Sequence, residues 1–250
     1  MKLLEDEELD PNKTAILLPT ANGPCRFGQY VRLVRRILDE QGYPEVTVFS
    51  FTSADGYAGI GDQAGAVIRT AWRAVLIQDI LLKLLLMIRP YEINPGDTDK
   101  VYRESLDKMA AILARQGLTN KKRLALIKPA LREVKQAFLA IPTRKEDRPL
   151  IGVVGEIFCR LNTFSNNELI RHIEAQGGEC WLTGVGEWVW YTNAEAFRRH
   201  REEKNRFTKA WLKTFLTRQL MLKDEKALYK DFRDVFASRP DPHVHEVLEC

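Results

Sequence analysis

Residues 150–182, LIGVVGEIFCRLNTFSNNELIRHIEAQGGECWL, decide the fold. The apolar run at 150–154 predicts a strand, and residues 167–175 predict a helix that stops at two glycines. Residues 179–182 then predict a second strand. A strand that reaches its neighbour through a helix must pair with it in parallel. The stretch therefore predicts a βαβ unit and an α/β layered fold.

The same order of elements occurs earlier in the chain. Residues 14–19, TAILLP, are a short apolar run typical of a strand buried on both faces. Helical spacing of apolar residues predicts a helix over 28–41, and the β-branched and aromatic residues of 45–51 predict another strand. The chain therefore contains two predicted βαβ units.

Long helices are predicted around and between these units. They cover residues 64–88, 97–116, 120–141 and 194–236. Pro129 should kink or divide the third of them. The polar segment 142–149, PTRKEDRP, is the best linker, and it predicts one domain over residues 1–148 and another over 149–250.

Composition excludes several classes of protein. Of the 250 residues, 45% are hydrophobic and 29% are charged, which excludes a disordered or low-complexity chain. The net charge of +4 permits a nucleic-acid partner without requiring one. The most apolar stretch, residues 80–88, contains Lys83 and is far shorter than the ~20 residues that a membrane span needs.

Cysteine usage indicates a reducing compartment. The four cysteines stand at 25, 159, 180 and 250, with no CxxC pair, which is poor material for disulfides or a self-contained zinc site. The acidic amino terminus lacks the features of a signal peptide. We therefore expect a cytoplasmic protein with no membrane partner. Cys180, in a predicted interior strand, is expected to be buried and inert.

The loop after the first strand is the first candidate site, because ligands of parallel α/β sheets collect at the carboxyl ends of strands. Residues 22–30, NGPCRFGQY, place Gly23, Cys25, Arg26 and Gly28 there. Cys25 beside Arg26 near a helix start should have a lowered thiol pKa, suited to metal binding or reaction. The alternative is that Cys25 is a small buried residue in a tight turn.

The equivalent loop after the third strand is the second candidate site. It carries Glu156 and Cys159, which topology would place on the same sheet edge as Cys25. A carboxylate and a thiol there could ligate iron or transfer a proton. Alternatively Glu156 pairs with an arginine, Cys159 fills space, and Asn166 or Asn167 caps the following helix.

Three blocks of sequence resemble a known family. Residues 18–30 (LPTANGPCRFGQY), 89–99 (RPYEINPGDTD) and 155–193 (GEIFCR through WVWYTN) are similar to the iron–sulfur component of the 2-hydroxyacyl-CoA dehydratase family. The blocks lie in the family's order and span nearly the whole chain. They resemble the branch that is fused or partnered to an ATP-dependent activator.

The resemblance implies a flavodoxin-like or Rossmann-like α/β fold with helical insertions, which is expected to hold an iron–sulfur cluster of the 4Fe-4S type. Cys25 then corresponds to a cluster ligand, with Gly23, Arg26 and Gly28 shaping its loop. Glu156 matches the family's Gly-Glu pair, whereas the position of Cys159 is more often aliphatic, so no ligand role is transferred to it. Relatives carry further cysteines upstream, so this chain resembles a carboxyl-side portion.

Two functions are therefore expected as alternatives. The first is an iron–sulfur subunit of a lyase or related reductase that takes low-potential electrons from an ATP-dependent activator, with acyl-CoA as a possible substrate. Its remaining ligands would come from an upstream cysteine-rich subunit or a second copy. The second is a non-catalytic α/β scaffold subunit without a cluster, which docks a partner through its basic carboxyl-terminal helix. A third, a nucleic-acid binder that uses the basic residues 198–233, is disfavoured by their mixed charge.

Overall fold

The computed structural model describes residues 9–18, 20, 26–50, 64–203 and 208–239. The chain divides into two compact units, Met1–Ile68 and Arg69–Cys250. The predicted division after residue 148 is not tested by this contact pattern and stays a prediction.

The first unit contains a parallel strand pair joined by a helix. Strand β1 (Ala15–Leu17) pairs in parallel with β2 (Thr47–Phe49), and helix α1 (Phe27–Glu40) connects them. Leu38 of α1 packs on Val46 at the centre of a small apolar cluster, which fixes the helix against the strands. The chain turns after α1 at Gly42, whose φ of +81° lies in the left-handed region that favours glycine. The first predicted βαβ unit is confirmed. The expectation that its first strand is buried on both faces is wrong, because Leu17 is 64% exposed.

Three helices form the main core of the second unit. Helix α2 (Ala64–Ile88) begins before the unit boundary and is followed by α3 (Asp97–Leu113) and α4 (Asn120–Leu139). Their facing apolar side chains are almost completely buried: Leu76, Ile80, Leu81, Leu84, Met109, Ile127, Leu131 and Phe138. Burial of such side chains is the main driving force for a helical core.

Pro129 lies inside α4 without dividing it. Of the two predicted effects of the proline, a kink or a division of the helix, the division does not occur. The residues around the proline, Ile127 and Leu131, are buried in the core. Their packing outweighs the loss of one backbone hydrogen bond and the local proline clash.

The second parallel pair follows this helical core. Strand β3 (Leu150–Val153) pairs in parallel with β4 (Glu179–Leu182), through the short helices α5 (Ile157–Leu161) and α6 (Leu169–Ala175). The second predicted βαβ unit is confirmed, although its loop contains α5, which the sequence pattern did not indicate. Within the described residues the strands form two separate two-stranded sheets. The expectation that the loops after β1 and β3 lie on one edge of the same sheet is therefore wrong. The architecture is mixed α/β with helices predominating.

The carboxyl-terminal region is helical from an earlier point than predicted. Helix α7 (Val185–Glu202) and helix α8 (Lys209–Tyr229) replace the single stretch expected over 194–236. Trp190 of α7 is buried and meets Trp72 edge to face, with ring centroids 5.7 Å apart. The aromatic run at 187–191 therefore contributes to the core through Trp190. Among the described residues, no helix combines the length and the apolar character that a bilayer span requires.

Candidate functional site

The loop after β1 is described only at its end. Gly23 and Cys25 lie outside the described residues. Arg26 is exposed at the start of α1, where its side chain makes no capping hydrogen bond, and Gly28 lies half-buried in the first helical turn. The side chain of the N-cap residue, Arg26, therefore does not cap the backbone N–H groups at the start of α1.

The loop after β3 is fixed by two polar side chains. The Glu156 carboxylate accepts a hydrogen bond from the Cys159 backbone N–H at 3.0 Å and so caps α5. The Asn166 amide donates to the carbonyls of Cys159 and Arg160, and its oxygen accepts from the Leu169 N–H at the start of α6. Glu156 thus stabilises the start of α5 as its cap, whereas the sequence had suggested an arginine partner as one alternative.

The same loop exposes one cysteine and three large apolar side chains. Cys159 is exposed. Val154, Phe158 and Phe164, from the same loop, are 83%, 50% and 93% exposed. Large exposed apolar groups gathered in one segment are typical of a contact surface. We call these four residues the β3 edge surface.

The carboxyl end of β4 is closed by a buried carboxylate. Asp79 of α2 accepts hydrogen bonds from the N–H groups of Val185 and Gly186, at 2.9 and 2.7 Å, at the first turn of α7. A Cβ at Gly184 would lie 2.6 Å from Asp79 Oδ1, and one at Gly186 would lie 2.7 Å from Oδ2. These two glycines leave the space that the carboxylate fills. The Asp79 carboxylate thus neutralises the partial positive charge at the start of α7, so this helix start is not an anion site.

Lys83 lies one helical turn beyond Asp79 and is buried among aromatic rings. Its Nζ is 5.5 Å from the ring centres of Trp181 and Tyr229 and 5.9 Å from that of Phe236. Contacts of this kind stabilise a desolvated cation. Burial raises the pKa of the neighbouring Glu225 carboxyl, and the Lys83 charge opposes that rise. This polar centre joins α2 to α8 inside the fold.

The described thiols differ in what they can do. Cys180 is fully buried, and burial raises the pKa of its thiol to about 11. A buried thiol of this kind stays protonated and unreactive. The prediction that Cys180 is inert is thus supported, and Cys159 is the accessible thiol of the described chain.

The described residues do not by themselves fit an iron–sulfur cluster. Within them, no three His, Cys, Asp or Glu side chains lie close enough together to hold a metal ion. A cluster of the cubane type takes about four thiolates. Any cluster held by this chain would therefore need ligands from outside the described residues.

Sequence reasoning missed Asp79, and it noted Lys83 inside an apolar run without predicting its aromatic surroundings. The signal that could have found Asp79 was the Gly-Val-Gly at 184–186, directly after a predicted strand. A charged residue inside the apolar run 80–88 was the corresponding signal for Lys83. In each case the partner lies on another element far along the chain.

Comparison with known proteins does not assign a family. No family model matches the chain, and no curated protein or solved structure does.

Proposed function

We propose that this chain is an iron–sulfur subunit, or a fragment of one, in a 2-hydroxyacyl-CoA dehydratase-type system. It would take low-potential electrons from an ATP-dependent activator and work in the cytoplasm on an acyl-CoA substrate, as part of a lyase or related reductase. The sequence blocks at 18–30, 89–99 and 155–193 suggest the proposal. The two parallel βαβ units support a flavodoxin-like fold for each half.

The β3 edge surface is the observation that carries the proposal. It lies at the carboxyl end of a parallel strand, where ligands of α/β proteins collect. It combines an accessible thiol with three exposed apolar side chains in a loop held by Glu156 and Asn166. Such a surface suits a contact with another polypeptide segment that shields a redox group from water.

We propose Cys25 as the cluster ligand of this chain, with the other thiolates supplied by an upstream cysteine-rich subunit or a second copy. The chain has four cysteines and one of them, Cys180, is buried with a raised thiol pKa. A bound cluster would supply one-electron transfer. The backbone N–H groups at the start of α1, which Arg26 leaves uncapped, would stabilise a nearby thiolate.

Co-expression without oxygen tests this proposal. The chain would be produced together with an ATP-dependent activator and a cysteine-rich subunit, and purified under anaerobic conditions. We expect a brown complex with broad visible absorption and bound iron. The chain expressed alone serves as the control and is expected to hold little iron.

The second candidate is a scaffold subunit without a cluster. The β3 edge surface also favours this function, because exposed apolar groups suit protein contacts whether or not a cofactor is present. The scaffold function predicts a stable complex that is colourless and free of iron. Isolation of such a complex would exclude the iron–sulfur function and support the protein contact.

A further inference from the structure

Helix α8 carries an exposed row of leucines. Leu212, Leu216 and Leu220 are 49%, 53% and 46% exposed. Their four-residue spacing places them on one face of the helix, over about 12 Å of its length. Partial exposure of three aligned leucines is unusual for a helix whose other face packs against its own protein.

Lysines share this face with the leucines. Lys209, Lys213 and Lys223 are exposed and stand at helical spacing from the leucines. None of these lysines pairs with another described residue. Residues 208–223 contain no Asp or Glu. The six side chains, called here the basic leucine face, therefore combine apolar surface with uncompensated positive charge: Lys209, Leu212, Lys213, Leu216, Leu220 and Lys223.

The inward face of α8 is occupied by other side chains. Trp211 and Phe215 stack on each other with ring centroids 5.4 Å apart and are half-buried. The Arg218 guanidinium lies 5.3 Å from the ring centre of Phe197 on α7. The Arg218 contact joins α8 to α7, and Met221 and Leu222 pack against the main core, all without the exposed leucines. The basic leucine face is thus not part of the packing that fixes the helix.

We propose that the basic leucine face binds an acidic amphipathic helix of a partner protein. A helix with apolar residues at three- and four-residue spacing would cover Leu212, Leu216 and Leu220. Its carboxylates would meet the lysines that border the leucines, which gives the contact its charge complementarity. This inference does not depend on the proposed cluster.

The structure favours an acidic helix over two other occupants. A second copy of this chain would bring its own lysines against Lys209, Lys213 and Lys223, with no acid in 208–223 to pair with them. A membrane-binding helix places Trp and Phe together with Leu on the exposed face that enters the lipid interface. Here Trp211 and Phe215 are half-buried and stack on each other, and the exposed large apolar residues of the helix are leucines.

A binding titration tests the proposal directly. The probe is a labelled synthetic helical peptide with leucines at four-residue spacing and glutamates beside them. A matched peptide carries lysine in place of each glutamate. Fluorescence anisotropy with the whole chain should show binding of the acidic peptide, which weakens as salt rises from about 0.05 to 0.5 M. The basic peptide should bind at least about tenfold more weakly.

Three variants locate the binding surface. Leu216 is 53% exposed, so the peptide can bury about half of its side chain. Because the alanine removes this contact, we expect Leu216→Ala to weaken binding of the acidic peptide about fivefold. We expect Lys213→Glu to weaken it about tenfold at low salt and much less at high salt. Leu139→Glu is the matched control, because Leu139 is a leucine of similar exposure, 49%, on a different helix, α4. This substitution should leave binding of the acidic peptide unchanged. Circular dichroism confirms that each variant is folded.

Each remaining outcome overturns the proposal. Failure of the acidic peptide to bind, or equal binding by Lys213→Glu and the native chain at low salt, removes the basic leucine face as its site. Binding to vesicles of anionic and neutral phospholipid that Leu216→Ala weakens, without binding of the acidic peptide, assigns the face to a membrane. Self-association that Lys213→Glu strengthens, in the absence of peptide binding, assigns it to a second copy.

Discussion

Removal of the Asp79 carboxylate should leave two buried amides without an acceptor. The groups are the N–H donors of Val185 and Gly186, which lie 2.9 and 2.7 Å from the Asp79 oxygens. Asp79 is 5% exposed, so water does not readily replace it. Loss of a helix cap and of buried hydrogen bonds predicts that Asp79→Ala lowers the free energy of unfolding by about 2–4 kcal/mol. For a unit of this size that corresponds to a fall in Tm of about 4–16 °C.

A double-mutant cycle tests the geometry behind this number. The Cβ of Gly184→Ala would lie 2.6 Å from Asp79 Oδ1 and would push the carboxylate away from the same two amides. The two substitutions therefore break the same bonds, and their combined effect should fall short of their sum by at least about 1 kcal/mol. Urea denaturation followed by circular dichroism measures all four proteins. Gly152→Ala is the control, because a Cβ there meets nothing within 4 Å.

Additive effects would refute this reasoning. If the double variant loses the sum of the two single losses to within about 0.5 kcal/mol, Asp79 and Gly184 act independently. The start of α7 would then not be closed by Asp79.

Three further predictions concern buried or exposed groups. Asp224→Ala should lower the free energy of unfolding by about 3–5 kcal/mol, because it leaves the buried Arg73 guanidinium without its paired carboxylate; thermal and urea denaturation measure the loss. In the folded chain, iodoacetamide should modify Cys159 and spare Cys180 until urea unfolds the protein, as peptide mass spectrometry would show. Burial raises the pKa of the Glu225 carboxyl, so the protonated carboxyl's contribution to stability is lost as pH rises above the ordinary glutamate range. Glu225→Gln should therefore gain stability relative to the native chain as pH increases from about 4 to 7, as urea denaturation would measure.

Each of these predictions has an outcome that would contradict it. Asp231→Ala breaks the more exposed pair with Arg132 and should cost less than about 1 kcal/mol; a loss equal to that of Asp224→Ala would contradict the role of burial. Equal alkylation of both thiols in the folded chain would contradict the burial of Cys180. A constant stability difference between Glu225→Gln and the native chain across the pH range would contradict the raised carboxyl pKa.

Local patterns predicted the elements that depend on local physics. The apolar runs at 14–19 and 150–154 became β1 and β3, since such runs favour strands and were bounded by turn residues. Helix α2 has the predicted bounds because its apolar side chains recur at helical spacing. The parallel pairing followed from the strand, helix, strand order alone.

Contacts between distant residues could not be predicted in the same way. Asp79 and Gly184 meet only in the folded chain, and nothing near either residue in sequence indicates the other. Pro129 kept its helix because of packing against other elements, which a propensity argument does not include. Of the predicted site, Arg26, Gly28 and Glu156 are described, and the capping role of Glu156 follows from its place at the start of α5. Gly23 and Cys25 lie outside the described residues.

Iron content of cysteine variants tests the central claim most directly. The chain and its Cys25→Ala and Cys180→Ala variants would be co-expressed without oxygen with an activator and a cysteine-rich subunit, and iron per complex would be measured. The proposed function predicts that Cys25→Ala loses most of the iron and that Cys180→Ala, which changes a buried thiol, retains it in whatever complex remains folded. Equal iron in the native chain and Cys25→Ala would contradict the claim that this thiolate holds the cluster.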